Sequence, residues 1–281
     1  MVERKSYSTI IGHLSLIIGV LVVVFPVWIA LVVATHDNHS FMSSVTPLWF
    51  GHEGLKVFAQ LFDGSAATGG ISVGRMLLNS TLMALGITVG KITISILSAY
   101  AVVFFRFRGR MVAFWLIFMT LMLPVEVRIM PTFQVVADLH MLNSMQGLII
   151  PLIASATATF LFRQFFLTVP GELVEAARID GAGPIKFFWD ILLPLSRTNI
   201  AALFVITFIY GWNQYLWPLM ITTDARFTTI VVAIKHLISV PEGEVMWNQV
   251  MATTILAMLP PVFVVIVMQR FFVKGLVESE K

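Results

Sequence analysis

Cysteine is absent from the sequence, and charged residues are scarce. Without cysteine, the chain has no disulfide bond, no thiolate nucleophile and no thiolate-ligated metal site. Asp, Glu, Lys and Arg make up only 12% of the 281 residues, whereas a soluble globular domain has about 25%. A chain of this length with so little charge lacks the polar surface that keeps a compact body in water. The two scarcities exclude a disulfide-stabilised domain and a water-soluble globular protein.

Hydrophobic residues are correspondingly abundant, at 58% of the chain, and the mean hydropathy is +0.91. The 23 Phe and 7 Trp residues exclude a disordered chain, because disordered chains are poor in aromatic residues. The net charge of +3 is too small to indicate nucleic acid as a partner, and the 6 His residues lack the spacing of metal ligands. We therefore expect an integral membrane protein surrounded by lipid, with no nucleic-acid partner, no metal and no cofactor.

Six windows of the sequence are long and apolar enough, or nearly so, to cross a membrane as helices. A spanning helix needs about 20 apolar residues. Continuous apolar runs of this length favour helices over the alternating pattern of a membrane β-barrel. The sequence therefore predicts an all-α membrane protein with six transmembrane helices, at residues 11–34, 76–105, 111–131, 146–166, 199–221 and 250–273.

Lys and Arg are unevenly distributed between the two sides that these six helices define. The side that holds both termini carries twelve of them and the opposite side five, with Lys91 inside a span. Because cytoplasmic segments are enriched in Lys and Arg, we expect both termini to be cytoplasmic. The predicted organisation is a first helix and periplasmic loop (1–75), a core transmembrane domain (76–273) and a cytoplasmic tail (274–281). Residues 35–75 show no periodic pattern from which to predict structure.

Residues 170–194, on the predicted cytoplasmic side between the fourth and fifth helices, are too polar to span the membrane. Pro170 favours the start of a helix, and Gly181 favours a turn after it. A second short helix is predicted over residues 185–193, ended by Pro194. The pattern is compatible with a helix that docks into a groove of another protein and with an interfacial helix that lies under the bilayer.

The same loop carries a resemblance to a known family. Glu175-Ala176-Ala177, Asp180-Gly181-Ala182 and the later Leu193-Pro194 resemble the EAA loop of the permease subunits of binding-protein-dependent ABC importers. In that family the loop forms a coupling helix that sits in a cleft of the ATPase subunit. The resemblance extends over roughly residues 72–281 and is strongest to the sugar-permease branch. It implies a type I ABC importer permease fold and an ATPase-coupling role for Glu175, Ala176, Ala177, Asp180, Gly181 and Ala182.

The resemblance also implies the partners and the solute. A second permease would complete a heterodimer, two copies of a cytoplasmic ATP-binding subunit would hydrolyse ATP, and a periplasmic solute-binding protein would deliver the solute. This chain would be a non-catalytic subunit of the bacterial inner membrane. Residues 154–166, 204–218 and 275–281 are similar to permeases of sn-glycerol-3-phosphate importers, which implies that solute and, as an extension, glycerophosphodiesters. A sugar importer of the same branch is the alternative.

Lys91 is the charged residue inside the second predicted helix, where a charge is costly and a functional role is the first hypothesis. Helical spacing places it on one stripe with Ser95 and with further small polar residues, Thr81, Thr88 and Ser98. The stripe could line a water-filled path and present a cation to a phosphate. The alternative is a structural lysine that pairs with a neighbouring helix. Gly86 and Gly90, spaced as small-xxx-small, predict close helix packing here.

Three further polar residues in or near the spans are candidates for the substrate path. Arg128 lies with Glu126 between two prolines, which loosen a helix as in discontinuous transport helices. It could contact an anion or form part of an outer gate, or it could belong to an interfacial ion pair. Asn213 and Gln214 bring buried amides into the fifth predicted helix, where they could contact the solute or hold helices together.

The energy source is restricted by what the sequence does not contain. Residues 86–92 superficially resemble a phosphate-binding loop, but the spacing is one residue short and Ile92 replaces the required hydroxyl. We therefore expect no nucleotide site in this chain. A gradient-driven secondary transporter often has internal repeats and intramembrane acids, and the sequence shows no convincing repeat and no acid deep in a span. A scaffold or receptor that transports nothing would leave the stripe around Lys91 unexplained.

Overall fold

The computed structural model describes residues 6–38, 47–66, 70–120, 125–239 and 244–278, with side chains for all of these except 6–8, 125–126 and 270–278. Helices account for all the regular secondary structure in these ranges, which confirms the predicted all-α class. The chain divides into two compact units. One comprises Met1–Leu77 with Val232–Leu259, and the other Leu78–Val231 with Pro260–Lys281.

The α-helices of the described residues range in length from 3 to 32 residues. In chain order the α-helices are α1 (Ser6–Val33), α2 (Gly54–Asp63), α3 (Val73–Phe104), α4 (Arg110–Met119), α5 (Val125–Asp138), α6 (Met145–Ile149), α7 (Ala156–Leu167), α8 (Gly171–Ile179), α9 (Pro184–Phe187), α10 (Leu193–Leu195), α11 (Arg197–Trp212), α12 (Leu216–Ile221), α13 (Ile230–Ile238) and α14 (Trp247–Glu278). Two 3₁₀ turns, Ile150–Leu152 and Ala225–Phe227, and one π-helical turn, Phe188–Leu192, complete the described helical structure.

Three helices in the described residues are long and apolar enough to cross a membrane, over Thr9–Val33, Val73–Phe104 and Trp247–Gln269. Two bent pairs raise the number to five if each pair counts as one span: Met145–Leu152 with Ala156–Leu167, bent by 47°, and Pro184–Leu195 with Arg197–Trp212, bent by 72°. The third predicted window includes residues 121–124, which lie outside the described residues. The count of six spans therefore stays a prediction.

The bends have local causes in the sequence. Pro151 occupies the 3₁₀ turn at the first bend, and the hydroxyl of Ser155 then accepts a hydrogen bond from the backbone N–H of Ala158 to begin α7. The expected helix end at Pro194 is wrong. Pro194 lacks an N–H, but the preceding π-helical turn, in which Leu193 N–H donates to the carbonyl of Phe188, relieves the clash that proline makes with an α-helix. The helical path therefore continues to Leu195.

In the first unit, α1 exposes apolar side chains along most of its length, as a lipid-facing span does. Trp28 near its end donates from Nε1 to the carbonyl of Leu48 at 3.1 Å. Helix α2 lies in the stretch without periodic signal; it buries Val57 and Leu61, one helical turn apart. At the start of α14, the side chain of Asn38 accepts a hydrogen bond from Trp247 N–H at 2.8 Å.

In the second unit, α3 makes close backbone contacts that depend on glycine. A Cβ atom at Gly86 would lie 2.7 Å from the side chain of Ile149, and one at Gly90 would overlap the side chain of Ile153. The prediction of close packing at these two glycines is confirmed. Around this contact, one apolar core comprises Met83, Ile87, Val136, Leu148, Trp217 and Ile221.

Asn143 joins two connections of the second unit. Its side-chain oxygen accepts hydrogen bonds from the backbone N–H groups of Thr223 (2.7 Å) and Asp224 (2.9 Å). Asp224 in turn forms an ion pair with Arg226 at 2.7 Å, and hydrogen bonds from Arg226 lower the pKa of the Asp224 carboxyl. These bonds connect the end of α12 to the loop that follows α5.

Candidate functional site

Loop 170–194 folds as a helix, a turn and a second helix, as its sequence predicts. Helix α8 ends in a Schellman motif, in which Ala182 N–H donates to the carbonyl of Ala177 (2.8 Å) and Gly181 N–H to that of Arg178 (3.1 Å). Gly181 has φ +74°, a left-handed conformation in which other residues are strained. The glycine thereby reverses the chain so that α9 can begin at Pro184.

Tyr100, near the end of α3, anchors the start of α9. Its hydroxyl donates to the carbonyl of Pro184 at 2.8 Å, and its ring lies 5.1 Å from that of Phe188 between centroids. Phe104, one turn further along α3, packs against Phe187 at 5.4 Å and against Phe166 at 5.8 Å. A buried aromatic cluster therefore packs loop 170–194 against α3.

The six residues assigned to coupling divide into two groups. Ala177 is buried in the aromatic cluster and Ala182 packs against that cluster, so both are part of this chain's own core. Glu175, Ala176, Asp180 and Gly181 are exposed on the outer side of the loop. The ion pairs in the described residues do not include Glu175 or Asp180, so both carboxylates are open to solvent.

Large apolar side chains on the outer side of loop 170–194 were missed by the sequence reasoning. Ile179 is 86% exposed, Ile185 76% and Trp189 60%. Exposed apolar side chains that cluster with charged ones are typical of a protein interface. The sequence offered one sign of this exposed apolar surface, because these three large apolar residues occur in a segment too polar to span the membrane.

Lys91 lies in the second unit with its side chain almost completely buried, at 7% exposure. Its Nζ atom lies 3.5 Å from the centroid of the Tyr210 ring on α11, in cation–π geometry. Ile129, which follows Arg128 on α5, and Tyr210 both pack against the apolar core that contains Ile87, one helical turn before Lys91 on α3. The helices that carry Lys91, Arg128 and Tyr210 therefore meet at one core.

The other path candidates lie at different depths. Gln214, which follows α11, donates from Nε2 to the carbonyl of Tyr210 at 3.1 Å. Its amide therefore binds the backbone of the residue whose ring contacts Lys91. Asn213, the residue that caps α11, is exposed. Ser95 is completely buried and donates to the carbonyl of Ser155 at 3.2 Å, so its hydroxyl holds α3 against the start of α7.

Tyr210 was missed by the sequence reasoning. The sequence showed an aromatic residue one helical turn before Gln214, but not that it would face Lys91. The structure therefore brings Lys91 and Gln214 together at Tyr210 and places Arg128 on a helix that packs against the same core. Asn213 is exposed next to this group, and Ser95 makes a different contact, with the Ser155 carbonyl.

Known proteins that resemble this chain are membrane components of transport systems. The family described as "Binding-protein-dependent transport system inner membrane component" matches residues 91–278. The sn-glycerol-3-phosphate transport system permease protein UgpE of Yersinia pestis is 57% identical over 281 residues, covering 100% of both chains. The protein of the same name from Rhizobium meliloti is 55% identical over 282 residues, again covering 100% of both chains.

A solved structure shares the fold. In the crystal structure of a bacterial ABC transporter involved in the import of the acidic polysaccharide alginate, one chain matches with a TM-score of 0.81 and 20% sequence identity. The match covers 97% of this chain and 99% of that chain. The long apolar helices, the family match and the full-length relatives agree, so this chain belongs to the family of inner-membrane permease components of binding-protein-dependent transport systems.

Proposed function

We propose that this chain is a permease subunit of an ABC importer that carries sn-glycerol 3-phosphate across the bacterial inner membrane, with both termini in the cytoplasm. We infer the solute from the 57% identity, over the full length of both chains, to permeases named for sn-glycerol-3-phosphate transport. The excess of Lys and Arg on the side of the termini supports the orientation. Residues 76–273 would form the transmembrane core.

The subunit works within an assembly. A second, related permease completes the translocation path as a heterodimer, two copies of a cytoplasmic ATP-binding subunit hydrolyse ATP, and a periplasmic binding protein delivers the solute. The exposed outer side of loop 170–194, with Glu175, Ala176, Asp180 and Gly181, docks on the ATP-binding subunit. Ile179 and Ile185 add apolar contact area to this docking surface, which supports a macromolecular partner over a solvated loop.

Coupling to transport then follows the contacts between loop 170–194 and α3. When the ATP-binding subunits close, they displace α8, and the Schellman turn at Gly181 passes the displacement to α9. The hydrogen bond from Tyr100 to Pro184 and the packing of Phe187 on Phe104 transmit it to α3. Lys91 lies about 13 Å further along the same helix, at about 1.5 Å per residue. A movement of loop 170–194 therefore reaches the substrate-path candidates Lys91, Arg128, Asn213 and Gln214 through one rigid helix.

Transport by the assembled complex tests this function. The chain is co-expressed with its partner permease, ATP-binding subunit and binding protein in a bacterium without other sn-glycerol-3-phosphate uptake, and accumulation of the radiolabelled solute is measured. We expect accumulation that is lost when the ATP-binding subunit carries a substitution that abolishes hydrolysis. Uptake of a sugar without any uptake of sn-glycerol 3-phosphate would show that the proposed solute is wrong, although membership of the family would stand. Uptake that persists with an inactive ATP-binding subunit would overturn the ATP-driven mechanism.

A further inference from the structure

We propose that Lys91, Arg128 and Tyr210 form one anion-binding site, at which the phosphate of the solute replaces the Tyr210 ring as the partner of Lys91 Nζ. The inference rests on the proposed function, because it names the place where this subunit meets the transported anion. It adds Tyr210 as a positioning residue and joins two cations that are far apart in sequence into one site.

The first step is electrostatic. A charged side chain among membrane helices is costly, and it persists where it has a partner or a function. Here Arg128 brings a second positive charge on a helix that packs against the same core, and like charges repel each other. Among the residues whose side chains the structure describes, no carboxylate forms an ion pair with Lys91 or Arg128. An anion placed between the two would offset the repulsion.

The second step concerns what holds Lys91 when no anion is present. The face of an aromatic ring attracts a cation, but more weakly than a full negative charge does. Tyr210 therefore gives the ammonium group a partner that a phosphate can displace. Because the ring keeps Lys91 ordered, the cation does not have to be oriented when the solute arrives, and the entropy cost of binding is smaller.

The third step is the backbone next to Tyr210. Helix α11 ends at Trp212 and α12 begins at Leu216, so the helical path is interrupted beside the ring. Interrupted helices at membrane depth occur where they line a cavity or a transport path. Gln214, within this interruption, fixes its amide on the carbonyl of Tyr210 and presents a polar group next to the cations. The break and the cation pair are independent features that coincide at one place.

Charge variants in the complete complex test the site. Lys91→Gln, Lys91→Arg and the control Lys235→Gln, at an exposed lysine on α13, are reconstituted with all partners in proteoliposomes. Uptake of sn-glycerol 3-phosphate and ATP hydrolysis stimulated by the loaded binding protein are measured side by side. We expect Lys91→Gln to lower uptake at least tenfold while stimulated hydrolysis stays within twofold of the unmodified complex. Lys91→Arg restores uptake to within about threefold, and Lys235→Gln changes neither quantity.

A binding measurement separates the site from a structural role. The permease–ATPase complex without binding protein is melted in detergent with millimolar sn-glycerol 3-phosphate, with glycerol, or with sodium chloride at equal ionic strength. A ligand that binds the folded state raises Tm. We expect sn-glycerol 3-phosphate alone to raise the Tm of the unmodified complex, and Lys91→Gln or Arg128→Gln to abolish the rise. Tyr210→Phe keeps it, because the ring is retained, and Tyr210→Leu reduces it.

The outcomes distinguish this inference from the proposed function. If the unmodified complex takes up no sn-glycerol 3-phosphate, the proposed function fails. If it does, and Lys91→Gln transports normally or keeps the Tm rise, the anion site is overturned while the proposed function stands. Equal loss of stimulated hydrolysis in Lys91→Gln and Lys91→Arg would show a structural lysine and would also overturn the site.

Discussion

Loop 170–194 takes its candidate coupling residues from one continuous stretch of chain, whereas the Lys91 group takes Lys91, Arg128 and Tyr210 from three separate helices. In the loop, the conformation follows from local chemistry, because Gly181 adopts a left-handed turn that its own neighbours cap. At the Lys91 group, no local preference places a tyrosine ring over an ammonium group. A continuous site can be recognised from a motif, and a dispersed site depends on how the helices pack.

Substitution of Gly90, the residue before Lys91 on α3, should disrupt the Lys91 group and has the largest expected effect. Any side chain at this position overlaps Ile153, so Gly90→Leu should separate α3 from the turn before α7 and shift Lys91. We expect a fall of several °C in the Tm of the purified complex and a large loss of folded protein and of uptake. Gly19→Leu on α1, where a Cβ meets open space, is the control. An unchanged Tm for Gly90→Leu would contradict the close packing.

Substitution of Gly181 should disturb the turn of loop 170–194 without creating a steric clash. A Cβ at Gly181 meets nothing within 4 Å, so the strain in Gly181→Val comes only from its φ of +74°. We expect uptake to fall about tenfold, with ATP hydrolysis no longer linked to it, while the Tm changes little. Gly183→Val is the matched control, because Gly183 also faces open space but has an ordinary φ of −71°. Equal effects of the two variants would argue against a special turn.

Tyr100→Phe tests the connection between the two regions and has the smallest expected effect. The variant keeps the ring in the aromatic cluster and removes only the hydrogen bond to Pro184, worth about 1 kcal/mol net. We expect uptake per ATP hydrolysed to fall about two- to threefold, with normal complex yield. Tyr100→Leu, which also removes the ring, should have a larger effect on both. If Tyr100→Phe left the ratio unchanged, α3 would receive the movement through the aromatic packing alone.

Sequence reasoning was most successful where the pattern was long or local. The three longest helices lie at predicted apolar windows, and the turn at Gly181 was predicted from glycine and proline positions. It missed α2, a short amphipathic helix of 10 residues, and it failed at Pro194, where a π-helical turn accommodates the proline. The bend at Pro151 divided the window 146–166, and the interruption at residues 213–215 divided the window 199–221, each of which had been predicted as a single helix.

The site residues show the same division. The Glu175-Ala176-Ala177 motif indicated a docking loop, but only the structure shows that Ala177 faces inward and that Ile179 and Ile185 face outward. Ser95 fell on the predicted polar stripe, yet its hydroxyl is used in a contact with the Ser155 carbonyl. Periodicity identifies the face of a helix, but not which neighbour covers that face.

The sequence by itself determined that this protein lives in a membrane, since 12% charge and long apolar runs are properties of composition that no folding alters. It also determined the turn of loop 170–194, because a left-handed glycine followed by proline is a local backbone preference. The tertiary structure alone decided that Lys91 meets Tyr210 and that Tyr100 holds Pro184. Those contacts join residues distant in sequence, and their geometry depends on the packing of every helix between them.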